Sequence, residues 1–564
     1  MQIKLKEMMS MTFQTTIFIA KKIITMFPEQ PLATAVAVKD GRILAVGDSE
    51  DVVFWVKNSP FTPYEVDNTF KDKILMPGLI DAHTHVEIQA LIYSGHFVAQ
   101  IPWPRPEGGF YPLYLTKADV LNRLKEVDHE LAPGELIYAA ACDENRIGEY
   151  LHINELNEIS TKRPILISNL VFHRFWANSF LLEKAGINPN NLPPGVETGP
   201  DGKPDGTLLE GEGLRCVLPA LPDLVDVTKE KIQYILPLFT AGGNTTVTEA
   251  ALGALGMQKS LSTFQDLFSK PETKLRVIGL PWASDGIVEA GSLDNFIDQL
   301  QQAKAEAIDK FRIGPVKLYT DGSIISRTSP IGWPGYWDGS PEGHMQGDPQ
   351  EISDIIVRLH AEGIPTVTHA NSRPGCQVVL DAVREAQSRN YRPDIRHRID
   401  HAYNITEAQL RSAKELGVGV QFFSTQIYYY GDAHLKLQGL NRAHHITPIG
   451  TANRIGVSWG FHNDPPGTPQ LPWIGAWTVV HRKTEESGMI LGPEQRVTVE
   501  DALRAMTIEA AYQLHLDHEI GSIEFGKKAD FCVLEADPLE IDPEELKDIP
   551  VWGTIFAGQP NPAN

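Results

Sequence analysis

The sequence predicts an α/β protein: a (β/α)8 TIM-like barrel, a composite β-sandwich domain assembled from both termini, and a large insertion after the first barrel strand. Three observations carry this prediction. Strand and helix patterns alternate through the long centre of the chain, as in parallel α/β folds. Both ends are rich in short β-branched runs. The first two central strands are separated by far more chain than the few residues that usually join a strand to the next helix.

At the N-terminal end, residues 15–57 read as short strands in TTIFIA, KIITM and ATAVAVKDGRILAVG. Lys39-Asp40-Gly41-Arg42 forms a hairpin turn between two of them. At the other end, Gly521-Ser522-Ile523, Ala529–Leu534 and the closing VWGTIFAGQ are strand-like. Residues 1–73 plus 515–564 are therefore assigned to the composite β domain and 74–514 to the barrel. The eight barrel strands are expected at 74–83, 244–250, 274–282, 314–322, 364–370, 395–402, 417–424 and 454–464. Helical patterns such as LDNFIDQLQQAKAEAIDKF, PQEISDIIVRLHAEG, CQVVLDAVREAQSR and TEAQLRSAKELG separate most of them. Thr406 with Glu407, and Ser353 with Asp354, read as helix starts because small polar and acidic residues favour that end. The Pro- and Gly-rich stretch at 95–230 leaves the C-terminal end of strand one. It is expected to lie over the barrel mouth as a lid or pocket wall.

Composition narrows the function. In 564 residues, 42% are hydrophobic and 22% charged, as in ordinary globular proteins. There are 72 acidic residues against 50 basic, a net charge of −22, which argues against nucleic acid and anionic membrane surfaces as partners. Cys142, Cys216, Cys376 and Cys532 are too scattered for a disulfide framework or a Cys-based zinc site. The apolar runs near the start are broken by Gln14, Lys21 and Lys22, so neither signal peptide nor membrane span is expected, and the location expected is cytoplasmic. The first ten residues read as a disordered lead-in or as sequence before an alternative start.

Functional groups in such a barrel sit at the C-terminal ends of its strands. Strand one ends in Asp81-Ala82-His83-Thr84-His85. Side chains repeat with period two, so His83 and His85 share a face and can grip one metal ion. Strand four carries Lys317, strand five ends in His369, strand six in His401 and strand eight in Asp464. Four imidazoles and a carboxylate at one mouth form a ligand set for one or two divalent ions, with zinc expected. Lys317 lies inside the apolar run Val316-Lys317-Leu318, where a charge is costly unless paired or neutralised. Carboxylation by CO2 would turn it into an anion able to bridge two metals; a salt bridge to Asp321 or Glu249 is the plain alternative. Asp464 could be an ordinary turn aspartate, but its place at the end of strand eight favours function.

Aromatic residues gather where loops should cover the mouth: Trp103, His173, Phe175, Trp176, Tyr319, Trp333, Tyr336, Trp337 and Tyr428–Tyr430. They could wall a substrate pocket or simply fill the lid core. Trp103, Trp176, Tyr319 and Trp337 are the substrate contacts expected among them. Arg327 is an expected grip for an anionic group, with a surface ion pair as its alternative.

These segments resemble the amidohydrolase superfamily, within it the YtcJ-like group (amidohydrolase family 3) that includes N-substituted formamide deformylases. The resemblance runs through MPGLIDAHTH, GNTTVTEA, VKLYTDGS, THAN, RIDHA, the Asn463-Asp464-Pro465 turn, EDALRAMTIEAAYQL and GSIEFGKKADFCVLEADPL. It implies a metal-dependent hydrolase with a barrel and a composite β-sandwich. His83 and His85 would bind the more buried metal with Asp464, His369 and His401 the second, and a carboxylated Lys317 would bridge them. The implied reaction is attack on an amide or related acyl-nitrogen bond by metal-activated hydroxide, with Asp464 as general base and then acid. His173 matches a family position often written Asp-Gly-His and is expected to touch substrate.

The sequence departs from the family at Asn371-Ser372-Arg373-Pro374-Gly375-Cys376 and around Cys142-Asp143-Glu144, which puts substrate identity in doubt and not hydrolysis. Ring amides, N-formyl amines, N-acyl amino acids and carbamate-like esters all fit such a centre, so the partner expected is a small molecule; a homodimer is compatible with the resemblance. A mononuclear deaminase of the same superfamily is the rival enzyme, disfavoured by Lys317 and by Ser372 where such deaminases carry Glu. A non-enzymatic scaffold on the same fold is disfavoured by the full ligand set.

Overall fold

The computed structural model describes residues 15–61 and 63–563; the expected lead-in at residues 1–10 lies outside them. Strands are numbered in chain order. At the N-terminal end come β1 (Thr15–Ile24), β2 (Leu32–Lys39), β3 (Arg42–Gly47) and β4 (Tyr64–Pro77). β2 and β3 are joined by Asp40 and Gly41 at φ 53° and 73°, both left-handed as a type I′ hairpin requires.

The apolar run ILMPGLID, expected as one barrel strand from 74, is divided at Gly78. Its first part completes β4, and its second is β5 (Leu79–Asp81). Gly78 is needed at this hinge because a Cβ there would meet the Thr245 side chain at 2.0 Å. Strand one of the barrel arc therefore begins at Leu79.

Six strands follow: β6 (His96–Phe97), β7 (Ile137–Cys142), β8 (Ile165–Asn169), β9 (Arg174–Ala177), β10 (Val196–Thr198) and β11 (Pro204–Leu209). They form a sheet of their own, ordered β10-β11-β9-β8-β7-β6. Next come β12 (Asn244–Leu252), β13 (Arg276–Pro281), β14 (Phe311–Ile313), β15 (Val316–Tyr319), β16 (Thr366–Ala370), β17 (Arg398–His401), β18 (Gly419–Phe423) and β19 (Trp459–His462). With β5 they make a TIM-barrel-like arrangement in two parallel arcs, β14-β13-β12-β5 and β15-β16-β17-β18-β19.

The expected closed barrel is not hydrogen-bonded throughout. Strand four is split into β14 and β15 at Gly314-Pro315, and Pro315 has no N–H to give a ladder. Among the described residues only the Trp282–Lys317 bridge joins the arcs there. On the other side no ladder links β19 to β5 among the described residues. The Ile80 amide bonds Met506 O at 2.9 Å instead, and His85 N–H reaches Pro465 O at 3.1 Å.

The chain closes with β20 (Phe531–Leu534), β21 (Val551–Phe556) and β22 (Gln559–Pro562). These join the first four strands in one seven-stranded sheet, β22-β21-β20-β4-β1-β2-β3. Phe18, Phe70, Phe531 and Ile555 pack on one face. Ile17 and Ala37, pointing the other way, meet Val52 and Val56 of the helix Ser49–Lys57. The ladder is one continuous sheet of seven strands.

Crossover helices match the sequence patterns at Leu293–Ala305, Pro349–Ala361, Arg373–Arg389 and Glu407–Leu416. Thr406 caps the last with a capping box to Gln409. Ser353 and Asp354 do not start a helix: Asp348 is the cap, with Pro349 in the first turn, because proline fits that position best. Among the described residues no helix is long and apolar enough to cross a membrane.

Candidate metal centre

The loop after β5 is tied on both sides. Asp81 accepts the His83 N–H at 3.2 Å, and Thr84 O accepts the Ala250 N–H of β12 at 2.8 Å. Lys317 lies within β15, His369 in β16, and His401 is the last residue of β17. Asp464 lies two residues beyond β19. His401 and Asp464 hold φ of 71° and 52°. Left-handed conformations at non-glycine residues cost about 1–3 kcal/mol and gather at functional sites.

His83, His85 and His401 converge on Asp464. Its Oδ1 is 3.1 Å from His83 Nε2 and 3.4 Å from His85 Nε2, and its Oδ2 is 3.7 Å from His401 Nδ1. The His369 ring lies 4.3 Å from that of His401. His83, His401, His462 and Asp464 each offer one donor atom, all within 4.8 Å of one another. Nε2 of His83 and His401, both nitrogens of His462, and Asp464 Oδ1 are buried without a hydrogen-bond partner. Buried polar atoms are rarely left unpaired, and a convergent set of lone pairs is what a cation satisfies. The donor set, nitrogen with one carboxylate, fits a divalent ion such as zinc.

His462 was not among the expected ligands, and its ring stacks on His83 at 4.5 Å. A signal was present: His462 and Asp464 repeat the one-residue spacing of His83 and His85.

The electrostatics suit metal binding. Burial pushes His85 down to about 4 and His369, His401 and His462 well below the usual range, which keeps the imidazoles neutral as ligands must be. Burial works against ionisation of Asp464, but His83 and His401 outweigh it and hold its carboxyl well below the usual range. Burial brings Lys317 down to about 8, although Asp400 pulls the other way. Its Nζ has no hydrogen-bond partner and lies 3.8 Å from Asp400 Oδ2.

The salt bridge considered for Lys317 does not form with either expected partner. Asp321 accepts the backbone N–H groups of Asn371 and Ser372, each at 2.8 Å. Glu249 accepts those of Glu87 at 2.7 Å and Ala251 at 2.9 Å. Both carboxylates are consumed by backbone, so Asp400 is the acid that faces the lysine.

Asp400 organises a layer behind the ligands. It bonds His83 Nδ1 and accepts Arg398 Nε–H at 2.6 Å, while Arg398 Nη2 also donates to Ala82 O at 2.8 Å. His83, Arg398 and Asp400 are all fully buried. Period two along RIDHA places Arg398 and Asp400 on one face, a pairing readable from sequence.

A sequence model described as the amidohydrolase family matches residues 70–561. The chain belongs to that family. It is 26% identical over 553 residues to an N-substituted formamide deformylase of Arthrobacter pascens, covering 93% of this chain and 94% of that protein. It is 24% identical over 549 residues to YtcJ of Bacillus subtilis, covering 95% and 97%. The crystal structure of an uncharacterized metal-dependent hydrolase from Pyrococcus horikoshii superposes with a TM-score of 0.71 at 21% identity, covering 94% of this chain and 99% of that one. This amidohydrolase is thus a hydrolase acting on carbon–nitrogen bonds.

The remaining expected site residues divide. In this amidohydrolase His173 and Tyr319 lie beside the centre: the Tyr319 ring is 4.1 Å from His369 and the His173 ring 6.1 Å. Both share a carboxylate, Glu210, that was not anticipated. Trp103 and Trp176 are not brought to the mouth. Trp103 packs on Phe97 and Tyr93, and Trp176 sits in the apolar core of the six-stranded sheet. Aromatic surface is favoured in a core as much as in a pocket, and here the core wins. Arg327 pairs with Asp338 at 3.0 Å, the ion pair considered for it. Trp337 is 71% exposed. Trp176→Ala is expected to destabilise the fold by about 3–5 kcal/mol in denaturant unfolding, because the cavity it leaves lies between packed strands.

Proposed function

We propose that this amidohydrolase hydrolyses an amide or related acyl-nitrogen bond of a small molecule at a centre for two divalent ions, with zinc the expected metal. The observation that carries this is the convergence of unpartnered imidazole and carboxylate atoms around Asp464. His83 and His85 would hold the deeper ion with Asp464, joined by His462, and His369 and His401 the second. Lys317, carboxylated, would bridge them; a lysine brought down to about 8 has the neutral fraction that reaction with CO2 needs. When bound, divalent ions polarise an acyl oxygen and make water acidic enough to act as a nucleophile near neutrality.

The protein's own groups do the rest. Asp464 takes the proton released on attack and returns it to the departing nitrogen. It can accept a proton because His83 and His401 keep it ionised. His173 and Tyr319 contact the acyl group from the side of His369. N-substituted formamides head the substrate screen, since a relative over nearly the whole chain is named for them.

The same reading assigns the domains. The composite β-sandwich domain is assigned to 1–73 plus 515–564, whose described strands make up most of the seven-stranded sheet. Residues 74–514 are assigned to the (β/α)8 barrel, whose first strand begins at Leu79, with 95–230 as its lid. The setting is cytoplasmic, with a homodimer as the assembly.

One observation favours a single-ion, deaminase-like reading: the donor atoms gathered within 4.8 Å suit one ion, and Lys317 is not among them. Metal analysis decides. Two ions per chain, falling to one or fewer in Lys317→Ala with activity partly restored by added propionate, is the expected result. One ion per chain, unchanged in Lys317→Ala, would replace the binuclear reading with the single-ion one.

A further inference from the structure

Three side chains from three separate elements meet beside His369. His173 lies in the turn between β8 and β9, Glu210 opens the helix Glu210–Val217, and Tyr319 ends β15. The Glu210 carboxylate Oε2 is 2.8 Å from His173 Nδ1 and 3.2 Å from the Tyr319 hydroxyl. A carboxylate oxygen offers only lone pairs, so both neighbours donate to it.

The arrangement is held firmly. Asn169 Oδ1 accepts the backbone N–H of His173 at 3.0 Å, and the Glu210 N–H donates to His173 O at 3.0 Å. Glu210 itself is buried at φ 54°, a left-handed conformation. Its carboxylate fits because Gly322 has no side chain: a Cβ there would lie 2.8 Å from Glu210 Oε1. With Nδ1 committed to Glu210, His173 Nε2 has no protein hydrogen bond among the described residues.

We propose that Glu210 is a positioning residue for the hydrolysis described above. Its carboxylate fixes the His173 ring, so that Nε2 is the atom turned to the substrate's acyl-nitrogen group. A buried carboxylate that orients a histidine through Nδ1–H is a general device for setting which ring nitrogen reacts. Here it also ties the insertion, which supplies His173 and Glu210, to the barrel strand that supplies Tyr319. The inference rests on the amidohydrolase reading for its kinetic effect, but not for its hydrogen-bond pattern.

The test uses metal-loaded full-length protein with E210A and E210Q, assayed on N-butylformamide. A second readout is the His173 tautomer, followed by histidine-selective 15N NMR and assigned by loss of the signal in H173Q. E210A is expected to lose about 10–100-fold in kcat/KM with metal content unchanged, and His173 is expected to leave the Nδ1–H tautomer. E210Q, whose amide oxygen still accepts Nδ1–H, should recover most of the loss. Should E210A fail to fold, E210M removes the acceptor at similar volume. Unchanged kcat/KM in the acceptor-less variant, or an unchanged His173 tautomer, would overturn the role of Glu210. If the wild-type protein leaves N-butylformamide intact, the substrate reading fails, and the tautomer comparison still decides Glu210.

Discussion

Asp464→Asn is expected to lower kcat by about 10²–10⁴-fold, the range for removing a positioned general base, or roughly 3–5 kcal/mol of barrier. The substitution is chosen for what it preserves. Asp464 sits at φ 52°, and Asn is among the few residues that tolerate the left-handed region well. The backbone turn that aims the side chain therefore survives. The amide has the carboxylate's size and keeps one oxygen towards His83 and His85, which lie 3.1 and 3.4 Å away. It cannot take up a proton. The loss should fall on kcat, with KM little changed, because the role is realised in the transition state and not in substrate binding. Metal content and thermal unfolding run alongside separate chemistry from loss of the site. Activity within tenfold of wild type, at full metal content, would remove Asp464 from the role of base.

Much of this site is readable because strand ends are marked by local patterns. The His83/His85 spacing and the alternation of strand and helix locate the loop after β5, and His369 and His401 each stand at the end of an expected strand. The same rule extends to His462 with Asp464 and to Arg398 with Asp400, which obey period two equally well. What local pattern does not encode is which sheet a strand joins. ILMPGLID is apolar without a polar break, yet Gly78 divides it between the terminal sheet and the barrel arc, because the close approach of Thr245 is a tertiary fact. Pro315, whose missing N–H breaks strand four, was a local signal that the expectation of one strand over 314–322 did not use. Glu210 had no local signature: its partner His173 is distant in sequence, and the pairing exists only once the six-stranded sheet has formed. Trp103 and Trp176 show the opposite limit. Composition identifies a large aromatic, but the face it turns to is decided by its neighbours in the folded sheet.

Asp400→Ala is expected to cost about 3–5 kcal/mol of stability, the range for removing one partner of a buried ion pair. Arg398 is fully buried and gives Asp400 two hydrogen bonds, at 2.6 and 3.0 Å. Without the carboxylate its charge is left in the barrel interior with only Ala82 O to accept from it, and Lys317 loses the acid it faces. The effect should also follow pH with a definite sign. Burial opposes ionisation of Asp400, but Arg398 and His83 outweigh it and hold the carboxyl well below its ordinary range. A depressed carboxylate contributes fully above the unfolded value of about 3.9, and the contribution is lost as pH falls from there towards the folded value. Urea unfolding of the wild type should therefore weaken progressively below about pH 4, and the variant should show a shallower acid limb from a lower starting stability. Metal affinity should fall by about 10–100-fold as well, since the bond from His83 Nδ1 to Asp400 is what turns Nε2 towards Asp464. Asp400→Asn separates the two effects: its amide oxygen can still accept from His83 while the countercharge for Arg398 is gone. Metal affinity retained with stability lost would assign the orienting role to the hydrogen bond and the stabilising role to the charge.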